Sequence, residues 1–277
     1  MQPALTPLAE WNGTVKAPGK ITRQEVEYAV DHYGDYIIVT EHLDLYDLDH
    51  IRTSYLDILG DQASLTKETI EMQTLQAGTN VVYADGATDS ATAQAKTITR
   101  KDIKLVSLKL RKQAGKKFTR MVTGTTKVGS NPIRAAYVGI CDPSIVEDLE
   151  SIPGFTITAK YPSGQLLDPN EVGELGGIRW IENTLFEPSD LGGGKLLYKT
   201  LVMAKDAFAT TTLRGHGTIA MVTTDIGTAS KSDPLAQFGT LGWKAIFGCA
   251  ILNQAWLVRI ESGSANDLAD AKHYMDV

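Results

Sequence analysis

The chain has 277 residues, 43% of them hydrophobic and 22% charged; that is enough for one large or two modest cores and excludes disorder over most of its length. A formal net charge of −6 excludes the overall basic footprint of a protein that grips nucleic acid by its phosphates. Cys141 and Cys249, the two cysteines, lie far apart among apolar neighbours. They read as buried free thiols in a reducing cytosol, not as a disulfide framework or a metal knuckle.

Met1 leads into Gln, Pro, Ala, Leu, Thr and Pro, with no basic segment before an apolar run, so no secretory signal is expected. In the first forty residues Ile21, Arg23, Glu25 and Glu27 alternate with Thr22, Gln24, Val26 and Tyr28, and residues 36–40 form a β-branched run, which predicts an extended hairpin. The Asn12-Gly13 and Pro18-Gly19 pairs make residues 11–20 a turn-rich loop that projects from its domain. From 48 to 77 the apolar spacing changes to steps of three and four through Leu48, Ile51, Tyr55, Leu59, Leu65 and Met72, with Asp47 as N-cap and Gly78 as stop. This predicts one helix of roughly 45 Å, with Gly60-Asp61 as the place for a bend.

Residues 80–83 read as a short strand, and the small residues 90–95 as a loop. A second helix opens on Thr99 as N-cap with Asp102 at the third position, and places Ile103, Val106, Leu108 and Leu110 among Lys101, Lys104, Lys109, Arg111 and Lys112. Its basic face is expected to be solvated or to meet an acidic neighbour, in preference to DNA. Residues 116–132 form a Gly, Thr and Ser linker, and 135–140 a buried-type strand that leads through Asp142-Pro143 into a helix ending near Leu149. Strands are expected at 178–181, 196–204, 218–223 and 246–260. The apolar part of the last, 245–258, is too short for a membrane span and is broken by Asn253 and Gln254, so it reads as core.

Motifs for chemistry are missing from this pattern. Residues 124–130 have phosphate-loop glycine spacing but carry Ser130 where the lysine is needed, and Gly192-Gly193-Gly194-Lys195 precedes a strand. His32, His42, His50, His216 and His273 form no His-Glu-x-x-His pattern. No serine lies in a Gly-x-Ser-x-Gly elbow, and Cys141 sits in helix-start chemistry. Glu25, Glu27, Glu41, Asp44, Asp47 and Asp49 read as a solvated acidic flank. No catalytic, cofactor-binding or metal residue is assigned.

A distributed series of segments carries a resemblance. Tyr33-Gly34-Asp35-Tyr36, Leu43-Asp44-Leu45, Leu59-Gly60-Asp61-Gln62-Ala63 and residues 77–84 are similar to the hairpin, long helix and exit strand of the major capsid proteins typified by coliphage N-four. That group is a branch of the Hong Kong ninety-seven type of tailed-phage capsid protein. Residues 98–103 resemble its next helix start, and residues 198–208, Asp233-Pro234-Leu235-Ala236-Gln237 and residues 239–244 its C-terminal signatures. The resemblance spans about residues 20–262. It implies an α+β fold with an extended hairpin loop (1–43), a peripheral domain (44–132 and 231–277) with spine helix 48–77, and an axial domain (133–230). Members of the family usually carry an N-terminal arm and a further strand before the hairpin, so part of the native subunit is expected to precede Met1.

The function so implied is structural: a non-enzymatic subunit that assembles with itself into hexamers and pentamers of an icosahedral head around double-stranded DNA. No cofactor is implied. Scaffolding, portal and decoration proteins are the further partners, and the virion, after the bacterial host cytoplasm, is the place. Trp11, Lys16 and Lys20 in the hairpin, and the axial tip at 163–175, are the candidate intersubunit contacts. Two alternatives stay open: an encapsulin-like nanocompartment shell, and a cytosolic α/β enzyme with an unrecognised site.

Overall fold

The computed structural model describes residues 25–46, 51–118, 135–161, 166–186, 188–192, 195–212, 219–227 and 233–265. In chain order the elements are β1 (Asp31–Thr40), α1 (Glu41–Tyr46), α2 (Ile51–Gln76), β2 (Val81–Tyr83), α3 (Ser90–Ala93), α4 (Arg100–Lys112), β3 (Tyr137–Cys141) and α5 (Pro143–Ser151). There follow β4 (Thr156–Ile157), β5 (Glu171–Leu175), β6 (Ile178–Glu182), β7 (Ser189–Asp190), β8 (Leu196–Met203), β9 (Phe208–Thr212), β10 (Ile219–Thr224), β11 (Phe238–Ile251) and β12 (Leu257–Ser262). Helices and strands are packed in two sheets, an α+β arrangement.

The first sheet is organised by β11. One edge pairs antiparallel with β1 along its whole ten-residue length, from Asp31↔Phe247 to Thr40↔Phe238. The other edge is shared by β10, opposite 240–245, and β9, opposite 247–251. Side chains alternate between the faces of a strand, so Leu241, Trp243, Ala245 and Phe247 point one way, joined from β1 by Ile37 and Val39. They form a core with Leu59 and Ala63 of α2. Gln62 clamps the same helix to both strands: its amide nitrogen donates to Asp35 Oδ2 (2.8 Å), and its oxygen accepts from Trp243 Nε1 (3.1 Å).

The second sheet is mixed, in the order β2-β12-β8-β3-β6-β5-β4, with β7 on the edge of β8. Its pairs β2–β12 and β3–β6 are parallel, and the rest are antiparallel. Helices α4 and α5 and the last turns of α2 cover it, burying Ile103, Val106, Leu110, Ile145, Leu149, Met72 and Leu75 against Trp180, Leu201 and Val258. One rigid helix therefore runs from one core into the other. The expected boundary between peripheral and axial segments crosses this sheet, since β2 and β12 come from the former and β3 to β8 from the latter.

Local chemistry explains the helix ends. Thr99 and Asp102 form the capping box of α4, and Asp102 also accepts from the backbone N–H of Asp85 (3.0 Å). Asp142 caps α5 ahead of Pro143. Gly78 ends α2 by allowing a close approach, because a Cβ there would lie 3.2 Å from the Leu257 side chain.

Four expectations are corrected. The run 36–40 belongs to β1, whose partner is β11; of the two arms expected on either side of 11–20, the first lies outside the described residues, and in the second residues 25–28 are not strand. The loop expected at 90–95 is largely α3, capped by Asp89, whose carboxylate accepts from Thr92 N–H (2.7 Å), and it buries Ala93 completely. Leu108 is exposed: the buried stripe of α4 is Ile103, Val106 and Leu110, at three- and four-residue steps. The strand expected at 246–260 is two strands of different sheets, separated where the Asn253 side chain accepts from Ala255 N–H. At Gly60 the helix continues uninterrupted, and the missing side chain lets Met221 come within 3.3 Å of the Cβ position.

Candidate functional site

Cys141 is fully buried, and burial pushes its thiol well above the ordinary range, assisted by the nearby Asp142 and Glu182 carboxylates. Cys249 is half-buried and pushed up to about 11, mainly by burial and then by Glu71. Neither is a ready nucleophile, since reaction requires the thiolate. His32 is exposed, His42 stacks on Tyr46 with ring centroids 4.4 Å apart, and His50, His216 and His273 lie outside the described residues. Among the described residues no cluster of three or more His, Cys, Asp and Glu side chains is placed to hold a metal ion, and no helix is long and apolar enough to cross a membrane. An open cleft of about 430 Å³ between α2 and the end of β6 is lined by Leu65, Glu68, Glu182 and Asn183, and there the Asn183 amide donates to Glu68 Oε1 (3.0 Å).

The charged chemistry of the interior is structural. Glu171, on β5, accepts from Tyr161 O–H (2.9 Å) and Leu167 N–H (2.7 Å) and faces the Arg179 guanidinium of β6 at 3.2 Å, while Arg179 also lies over the Tyr161 ring. Both charged side chains are almost wholly buried. Burial, followed by the hydrogen bond to Glu171, holds the Tyr161 hydroxyl well above its ordinary pKa. One carboxylate thus fixes two chain points six residues apart. The sequence signal was Arg179 inside an apolar strand buried on both faces, where a charge must be paired.

The remaining features are surfaces. On the face of the first sheet turned away from α2, Tyr36 is 66% and Ile38 57% exposed, with Val222 and Phe238 beside them in register. At the adjoining end Thr40 accepts from Leu43 N–H to start α1, which leaves Leu45 and Tyr46 more than 70% exposed. Exposed apolar side chains gathered on one face in this way are a candidate surface for another protein. Trp11, Lys16 and Lys20 lie outside the described residues. Of the expected tip at 163–175, Glu171–Leu175 is the interior strand β5, between β4 and β6, and Leu166, Pro169 and Asn170 are exposed.

Comparison with known proteins indicates a structural role. The chain is 21% identical over 284 residues to the major capsid protein of Pseudomonas phage KPP21, covering 92% of this chain and 71% of the relative. Its fold is similar to the capsid of Ralstonia phage GP4, with TM-score 0.64 and 12% identity over 86% of this chain and 74% of that one. It is also similar to the head of Helicobacter pylori bacteriophage KHP40, with TM-score 0.57 and 12% identity over 85% and 74%. The SrpI encapsulin of Synechococcus elongatus shares the fold at TM-score 0.51 and 13% identity, over 86% and 76%. The α+β architecture is thus the Hong Kong ninety-seven type expected from the resemblance. Residues 23–260 match the phage capsid protein family, to which this chain belongs.

Proposed function

We propose that this chain is the major capsid protein of a tailed phage, the subunit that tiles hexamers and pentamers into an icosahedral head around double-stranded DNA. The observation that carries the reading is the family match across 23–260, on a fold whose described residues offer large apolar surfaces and no constellation for chemistry. Rings of identical subunits need heterologous contacts, in which one patch meets a different patch on the next copy. Helix α2, anchored in both cores, is the stiff strut that carries load between such contacts.

The finer assignments belong to the same proposal. They are membership of the coliphage N-four type branch and the division into hairpin loop, peripheral and axial parts. They also include contacts by Trp11, Lys16 and Lys20, and cooperation with scaffolding, portal and decoration proteins. A net charge of −6 suits a shell whose lining does not hold DNA tightly. The likeness to an encapsulin supports a second reading, a nanocompartment shell that encloses a cargo protein. Particles purified from a phage-producing host decide between them. Nuclease-protected DNA of genome length supports the head, and a co-purifying enzyme with no DNA supports the nanocompartment.

A further inference from the structure

Helix α4 carries Arg100, Lys101, Lys104, Lys109, Arg111 and Lys112, and its single acid, Asp102, is buried in the capping box. At 100° per residue the face opposite the buried stripe is a line of Lys101, Leu105, Leu108 and Lys112, flanked by Lys104 and Arg111. All six residues are exposed, Leu105 by 45% and Leu108 by 40%. Among the described residues no carboxylate pairs with any of these four cations. Such a face suits a segment that brings carboxylates to its rim and apolar groups to its centre.

The described residues end beside the start of this helix. Gly263 N–H donates to Ala93 O (3.0 Å) and Lys96 O (2.8 Å), in the stretch that leads into the Thr99 cap. Ser264 Oγ donates to Ser144 O (3.1 Å), and Ala265 N–H to both carboxylate oxygens of the buried Asp148 on α5 (3.2 and 3.1 Å). The turn after α5 completes the link, since a Cβ on Gly154 would lie 3.3 Å from the Arg100 guanidinium at the first position of α4. Three successive anchors thus deliver the segment that follows to the N-terminal end of α4. That segment, residues 266–277, holds Asp267, Asp270 and Asp276 against Lys272 alone, with Leu268, Tyr274 and Met275 among them. Neither other long segment outside the described residues has this composition. Residues 1–24 hold Glu10 against Lys16, Lys20 and Arg23, and residues 119–134, which follow α4, hold Arg120, Lys127 and Arg134 and no acid. Length fits as well: residues 266–277 reach at most about 40 Å, and α4, with 13 residues, is about 20 Å long.

We propose that residues 266–277 return along the exposed face of α4 of the same chain. Their aspartates meet Lys101, Lys104, Arg111 and Lys112, and their apolar side chains cover Leu105 and Leu108. Tethering at Ala265 keeps the segment at an effective concentration on the order of a millimolar, so a contact too weak to join two separate molecules closes within one. The contact withdraws a cationic, leucine-centred face from nucleic acid and from other copies, and it belongs to the unassembled subunit, whatever that subunit builds.

Carbodiimide coupling of the full, unassembled chain tests this, because the reagent joins a carboxylate to an amine only where the two are in contact. Peptide mass spectrometry is expected to find Asp267, Asp270 or Asp276 joined to Lys101, Lys104 or Lys112. In a mixture of unlabelled and heavy-isotope-labelled chains, those links should join peptides of one label. Amine acylation gives a second readout. In Asp267→Lys with Asp270→Lys, the three α4 lysines should react roughly threefold or more faster than in the parent, while Lys244 on the first sheet, also exposed, keeps its rate. Leu268→Ser with Met275→Ser, which leaves every charge in place, should raise the same rates. Circular dichroism and thermal melting confirm that both variants fold. Absence of links from the segment to α4, with equal rates in parent and variants, overturns the proposal. Links formed only between labelled and unlabelled chains also overturn it, by assigning the segment to a second copy's α4. So does protection that ignores both variants and arises only when DNA is added, which would assign the face to nucleic acid.

Discussion

The pair Glu171–Arg179 gives the sharpest test of how the second sheet is held together. Its side chains are 0% and 6% exposed, and the carboxylate accepts from Tyr161, Leu167 and Arg179 together. In Glu171→Ala the guanidinium loses its carboxylate and Leu167 N–H loses its acceptor. Removing one member of a buried pair costs about 3–5 kcal/mol, because the other charge stays desolvated. For a chain of this size a loss of 1 kcal/mol lowers Tm by roughly 2 °C, so the melting transition falls by about 6–10 °C. Glu171→Gln keeps the shape and one acceptor and should cost about half as much. Replacing both partners, as Glu171→Leu with Arg179→Met, should recover most of the loss, since apolar pairs of similar volume are commonly neutral or better. Urea titration followed by tryptophan fluorescence gives the free energies, with Trp180 adjacent in sequence to the altered site. A Glu171→Ala variant within about 1 kcal/mol of the parent, a value typical of exposed pairs, would refute the reading of this cluster as a buried anchor.

Three further outcomes are expected. Thr99→Ala removes half of the α4 capping box and should cost about 1 kcal/mol in urea titration. Gly263→Ala places a Cβ 2.1 Å from the Gln94 backbone oxygen, so the turn that donates Gly263 N–H to Ala93 and Lys96 must shift. Overpacking against backbone of this kind should cost about 1–3 kcal/mol or more, read as a lower Tm. Cys249 has a folded-state pKa near 11, raised from 9.0 by burial. Its contribution to stability is therefore complete below about pH 9 and is lost as pH rises toward 11. At pH 8 about one thiol in a thousand is thiolate, so folded protein should react with a thiol reagent far more slowly than urea-unfolded protein; equal rates would contradict the burial.

Features carried by local pattern were legible from residues alone. Helix α2 followed from its apolar period, α4 from Thr99 and Asp102, and α5 from Asp142-Pro143. Long-range pairing was not legible. Nothing local to residues 36–40 says that their partner lies two hundred residues away, and a hairpin with the preceding segment is the economical guess. The apolar run 245–258 conceals a change of sheet because β11 and β12 are both buried, and the short side-chain cap at Asn253 is the one mark between them. Leu108 shares the apolar character of Ile103, Val106 and Leu110, but at 100° per residue it falls on the opposite side of α4 from them. The buried ion pair stayed hidden because charged residues are ordinarily assigned to the surface. The site is less legible still: a surface for copies of the same chain needs no motif, only patches that the fold assembles from distant segments such as 31–46 and 233–243.

The central claim is that this chain builds a shell from copies of itself, and the most direct measurement is electron microscopy with light scattering of the purified chain, alone and with its scaffold supplied. Rings of five and six subunits and closed shells of uniform diameter are the expected result. Uniform monomers under every salt, crowding and scaffold condition would contradict it.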